Sequence, residues 1–199
     1  MELFKKIKYS LLTVILLTIF NICCTKKKKT VFSNQQNSYL GDSTLSEKNY
    51  FKTLVHGDTY SILNKKNEKY KKFYSTYDEN RISLSNDISI KIINEKLSSK
   101  DNLKINLYTF NKNKKIDSIR FYRNISGKNY EKYNCLSFFD KKNNKIWQIN
   151  YFPSDFEKSV NIISYLEMSI KPDGTIKKDS LRYLDESLEV IMQDNNLYY

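Results

Sequence analysis

His56 is the single histidine in a chain of 199 residues, and Asp58 stands two places beyond it. A hydrolase of the Ser-His-Asp type would have to use His56 as its base and Asp58 as the nearest orienting acid, yet no G-x-S-x-G turn is present to expose a serine. One imidazole also excludes a metal site built from two or three histidines within one chain. Cys135, the only cysteine away from the N-terminus, sits in an apolar alternating run. A lone small residue there reads as core packing, because a reactive thiol needs exposure and a positive environment. Four glycines supply neither a G-x-G-x-x-G turn nor a P-loop, so nothing points to a nucleotide or to any other cofactor. Carboxylates cluster at Asp78 and Glu79 and again at Asp185, Glu186 and Glu189. Two carboxyls at the right separation are all a glycosidase requires, although on a charged surface such groups ordinarily serve solvation.

Aromatic side chains carry the stronger functional signal: 16 Tyr, 11 Phe and one Trp. Many fall in the strand region, and Tyr108, Arg120, Tyr122, Trp147 and Tyr151 form a candidate binding set. An outward row of rings with interspersed cations offers stacking and contact area to a glycan, a peptide or another protein. Nucleic acid is disfavoured. The Gly-containing aromatic signature of an RNA-binding sheet is missing. The charge of +12 is also inflated by composition: the chain has no alanine, few arginines and abundant Lys, Asn, Ile and Tyr. Setting aside the N-terminal charges Glu2, Lys5, Lys6 and Lys8 and the block Lys26 to Lys29 leaves a surplus of about +6, which aids solubility without specifying an anionic partner.

The elements that must position these residues are mostly strands. Ile82 and Leu84, then Ile88, Ile90 and Ile92, then Leu103, Ile105 and Leu107 alternate with polar residues, the period-two signature of strands covered on one face. Residues 116–122, 133–139 and 145–152 continue the series, joined by short Asn- and Lys-rich turns that favour antiparallel hairpins. The expected fold is mainly β with some α: an antiparallel meander, forming an open sheet or a partly closed barrel. Around His56-Gly57-Asp58, residues 50–63 read as two short strands or an irregular segment. Ser154-Asp155-Phe156-Glu157 fits a capping box, with Phe156, Val160, Ile163 and Leu166 on one helical face. Leu166, Met168 and Ile170 alternate as a strand would, so residues 155–166 stay open between helix and strand. Leu181, Leu184, Leu188 and Ile191 recur at helical spacing behind Asp179 and Ser180, predicting a C-terminal helix that covers the sheet.

The N-terminus has a different character. Lys5, Lys6 and Lys8 precede an apolar stretch, Leu11 to Ile22, that ends at Cys23 and Cys24, after which come Lys26 to Lys29. A helix from Tyr9 to Cys24 would cover about 24 Å against a hydrocarbon core of about 30 Å, which suits a signal peptide better than a membrane span. A cysteine directly after such a segment resembles a bacterial lipoprotein precursor with the relaxed motif of Bacteroidetes-type envelopes. The resemblance covers residues 1 to about 25. It implies cleavage before an acylated cysteine, Cys23 or alternatively Cys24, with lipid holding the mature chain on a bacterial membrane, at the inner leaflet of the outer membrane or the periplasmic face. Residues 1–22 are then the signal peptide, 23–48 the anchor and polar tether, and 49–199 a single β-rich domain.

A lipid-anchored envelope protein that binds rather than catalyses is the resulting expectation. The alternative is a small periplasmic hydrolase acting on envelope sugar or peptide through paired carboxylates, and a third reading is a tethered inhibitor or immunity-type protein.

Overall fold

The computed structural model describes residues 39–56, 58–77, 81–95, 97, 102–125 and 133–183, all within one compact unit. The alternating runs become strands: β1 (Tyr39–Leu40), β2 (Arg81–Ser83), β3 (Ile88–Glu95), β4 (Leu103–Asn111), β5 (Lys114–Asn124), β6 (Asn134–Asp140), β7 (Lys145–Ser154), β8 (Ser159–Ile170) and β9 (Ile176–Tyr183). From β2 to β9 they pair antiparallel in chain order, and β1 adds to β6. The protein is a mainly β meander whose sheet is not closed. Among the described residues two helices, α1 (Tyr50–His56) and α2 (Thr59–Ser75), and a short 3-10 turn (Ser43–Ser46) accompany it. Among the described residues no helix is long and apolar enough to cross a membrane.

The sheet bends at β5, and the cause is local. Ile105 pairs with Tyr122 but Asn106 pairs with Arg120, so Phe121 is an extra residue in the strand. Such a bulge bends its strand and raises the twist. Beyond it β5 stays in register with β6 at one pair alone, Arg123 with Cys135. The Gln148 amide on β7 reaches the Arg120 carbonyl, and the Ile176 N–H at the start of β9 donates to Asp117 on β5 at 2.8 Å. Strand β5 therefore runs across the face of β6 to β9 that carries Cys135, Ser137 and Gln148. It leaves part of the β6 edge bare, and β1 pairs there, with Tyr39 opposite Asp140 and Leu40 opposite Phe139.

Both faces of β6 to β8 are thus covered. One face, with Leu136, Phe138, Ile149, Tyr151 and Tyr165, lies under the helices, and the other carries Phe139, Ile146, Leu166 and Met168. On α2 the residues Leu63, Asn67, Tyr70 and Tyr74 recur at helical spacing and are buried. The Tyr122 ring stacks on Tyr70 and Tyr74 at centroid distances of 5.6 and 5.4 Å. Each such pair adds about 0.5–1.5 kcal/mol beyond area burial.

Three expectations are corrected and one open choice is decided. The body reaches back at least to Tyr39 rather than beginning at Asn49: Leu40, Asp42 and Leu45 are buried because β1 and the 3-10 turn fill the edge that β5 leaves. Residues 50–56 and 59–63 belong to helices. The turn chemistry at Asp58 makes a helix cap, its carboxylate accepting the Ser61 N–H at 3.2 Å. The sequence 155–158 is a tight turn, followed by strand from Ser159. Ser154 Oγ does accept the Glu157 N–H at 3.3 Å, the bond of a capping box, here closing a hairpin. Finally, Asp179, Ser180 and Leu181 lie in β9 rather than at a helix start, while Leu184, Leu188 and Ile191 lie outside the described residues.

Candidate functional site

Helix α2 and the β7–β8 hairpin enclose a cleft of about 540 Å³, within the range typical of small-ligand sites. Its first wall follows from helical geometry: Tyr60, Asn64, Asn67 and Glu68 fall on one side of α2, next to the buried stripe. The opposite wall is the end of β7 with its turn, where Asp155 and Phe156 stand. The floor is formed by Asn124 of β5, Asn134 of β6 and Tyr151 of β7.

Hydrogen bonds fix the inner part of the cleft. Asn67 is buried; its Nδ2 donates to Asn124 Oδ1 at 3.0 Å, and its Oδ1 accepts the Tyr122 hydroxyl at 3.0 Å. A buried amide with two side-chain partners is a rigid fixture, since losing either leaves a desolvated group behind. Tyr151 is buried with its hydroxyl beside Asn134. Burial first, and the Glu68 carboxylate further, push the Tyr122 and Tyr151 phenols far above their ordinary range, so both are neutral.

The outer part is open and mixed. The Tyr60 hydroxyl donates to Asp155 Oδ1 at 2.7 Å, tying helix to turn. Lys158 stands over the Tyr60 ring, 5.4 Å from its centroid. Phe156 is 97% exposed, the one large apolar side chain so exposed among the described residues. Such a ring facing water beside a polar cleft has no structural role in the core. No Lys or Arg is among the described residues lining the cleft, in a chain with 34 of them.

The residues singled out in the sequence separate. Tyr151 lines the cleft, and Tyr122 supports it through Asn67. Both are buried, so neither belongs to an exposed row: the bulge at Phe121 turns Tyr122 toward the helices, and Tyr151 shares the helix-facing side of β7 with Ile149. Tyr108 and Arg120 lie on the outer face of β4 and β5, where Lys115 covers the Tyr108 ring at 4.2 Å and Arg120 bonds Glu95 at 3.0 Å. Trp147 stacks on Phe138 at 5.7 Å, half-buried. Asp58 is engaged as a helix cap, and Cys135 is a buried free thiol. Cys23, Cys24, Asp78, Glu79, Asp185, Glu186 and Glu189 lie outside the described residues. Glu68 was not singled out in the sequence and Asp155 was read only within a capping box, because 87 positions separate them. Only the hairpin register brings them to one cleft. No family model, no curated protein and no solved structure matches this chain at a significant level.

Proposed function

We propose that this chain is a lipid-anchored protein of a bacterial cell envelope, exported, held by acyl chains on Cys23 and binding a ligand without transforming it. The observation that carries the binding reading is the α2–hairpin cleft, which has a rigid amide floor and an exposed aromatic rim. The anchor reading rests on the apolar segment ending at Cys23 and Cys24. Intact-mass measurement of the membrane-fraction protein tests the anchor: a mature mass starting at the acylated cysteine, lost in Cys23→Ser and kept in Cys24→Ser, is the expected result. A full-length precursor mass without acyl chains overturns it.

One observation favours a second reading, the hydrolase: Glu68 and Asp155 both line the cleft. Against it, both carboxyls are exposed and Asp155 is already engaged by the Tyr60 hydroxyl. Release of reducing sugar or new peptide termini, abolished by Glu68→Gln or Asp155→Asn, would establish the enzyme in place of the binder.

A further inference from the structure

Resting on the reading of the α2–hairpin cleft as a ligand site, we propose that its ligand is an uncharged, hydroxyl-rich glycan, one sugar of which stacks on Phe156. The first argument is the chemistry of the walls. Asn64 presents an exposed carboxamide to the cleft and Asn134 lines it further in, while the Asn67 and Asn124 amides beside them are bonded to each other and hold the floor. A carboxamide offers donors and an acceptor side by side, the complement of a sugar hydroxyl, which both donates and accepts. Glu68 and Asp155 add acceptors only. The second argument is Phe156. A sugar ring has an apolar face of C–H groups, and a solvent-facing phenyl beside hydrogen-bonding groups matches one apolar and one polar side of the same ligand.

Charge among the described residues weighs against the competitors. An acidic glycan or phosphorylated ligand needs guanidinium or ammonium donors, and among the described residues the cleft lining has none while carrying two carboxylates. A cationic peptide would be drawn to those carboxylates. It would also approach past Lys158 at the rim and past Lys65, Lys69 and Lys72 along α2, on a body with a surplus of about +6. The long-range field of such a surface repels a cationic partner. A neutral ligand escapes both constraints.

The test is binding of the full-length chain in detergent to immobilised tetrasaccharides of glucose and of N-acetylglucosamine, beside an oligoglucuronate and a Lys-rich peptide. Phe156→Ala and Asn64→Ala are the variants; both positions are exposed, so the unfolding midpoint stays unchanged and serves as the folding control. The expected result is retention of a neutral tetrasaccharide, weakened about tenfold by Phe156→Ala and severalfold by Asn64→Ala, the scale of losing one aromatic contact or one hydrogen bond. Neutral-glycan binding insensitive to both variants overturns the assignment to this cleft. Preference for the oligoglucuronate overturns the charge argument. Binding of the Lys-rich peptide alone, lost in Phe156→Ala, overturns the glycan while leaving the cleft as a ligand site. Failure of every probe in both wild type and variants overturns the glycan proposal and the binding reading together.

Discussion

Tyr70 and Ser137, 67 positions apart, are joined by a buried hydrogen bond in which the tyrosine hydroxyl donates to the serine carbonyl at 2.7 Å. The Tyr70 hydroxyl oxygen in turn accepts the Asp42 N–H at 2.8 Å. One atom thus fastens helix α2, strand β6 and the N-terminal segment as it enters the sheet. Tyr70→Phe keeps the ring and strands both backbone groups in a dry interior, so chemical denaturation should report a loss of about 1–3 kcal/mol. Gly41→Ala should cost more. Gly41 has φ +92°, and an added Cβ would lie 2.2 Å from the Ser137 carbonyl oxygen, a contact relieved only by pulling β1 from β6. Unchanged stability in both variants would refute the fastening role.

Beside this junction Asp42 pairs with Lys66, and both side chains are nearly enclosed. Burial alone would raise the Asp42 carboxyl. The hydrogen bond and charge of Lys66 outweigh it, joined by the N–H and hydroxyl of Thr44, and hold the group below its ordinary value. A depressed folded-state pKa means that the stabilisation is fully present above the unfolded value of about 3.9 and disappears as pH falls through the lower folded one. Urea midpoints measured from pH 7 down to pH 3 should therefore fall at the acid end in the wild type and fall less in Asp42→Asn. At neutral pH Asp42→Asn leaves Lys66 enclosed without its counter-ion and should cost about 3–5 kcal/mol, more than the double variant Asp42→Ala/Lys66→Met.

The meander was legible because period-two alternation was clean over residues 82–107, where the strands have one apolar face, and short turns carried the reading on to residue 152. Legibility failed where a second layer entered. Both faces of β8 are covered, so Ile162, Ser164, Tyr165, Leu166 and Met168 are all buried, and a strand without a polar face shows no clean alternation. Helix α2 was hidden for the opposite reason. Its buried stripe is Leu63, Asn67, Tyr70 and Tyr74, one aliphatic residue with an amide and two phenols, set among lysines that mask the helical period. The cleft was out of reach of any local pattern. Its walls come from α2 and from a hairpin some ninety residues later, and its floor from two further strands. Tyr151 was singled out for an exposed aromatic row, and reaches the site instead as a buried floor residue.

The same phenols make the fold sensitive to alkali. Burial, ahead of every other cause, raises Tyr50, Tyr70, Tyr74, Tyr122 and Tyr151 far above the ordinary value and Tyr165 to about 12. The unfolded chain releases these protons near pH 10 and the folded chain holds them, so the stability they support is complete below that pH and declines as pH rises through the folded values. Ultraviolet titration should show exposed tyrosines ionising near pH 10 and a second, cooperative rise at higher pH that coincides with loss of far-ultraviolet strand signal. A single smooth titration of all 16 tyrosines near pH 10 with the fold intact would contradict the buried cluster.

Cys135 offers a probe of the opposite face of the sheet. Burial pushes its thiol up to about 12, against weaker pulls downward from the Ser137 hydroxyl and the charges of Arg120 and Arg123. The sulfur lies 3.6 Å from the Arg120 carbonyl and 3.8 Å from that of Phe121, under the stretch where β5 crosses β6. A thiol so placed is neutral at pH 8 and screened from reagents, and its reaction must wait for β5 to lift. In a Cys23→Ser/Cys24→Ser chain, a disulfide reagent should leave Cys135 untouched in buffer and label it fully in urea. Because the bulge at Phe121 holds β5 in its crossing path, deleting Phe121 should bring labelling on in buffer, well before the helices melt. Prompt labelling of the folded chain with Phe121 in place would mean that β5 does not lie over Cys135, and the bend in the sheet would have to be redrawn.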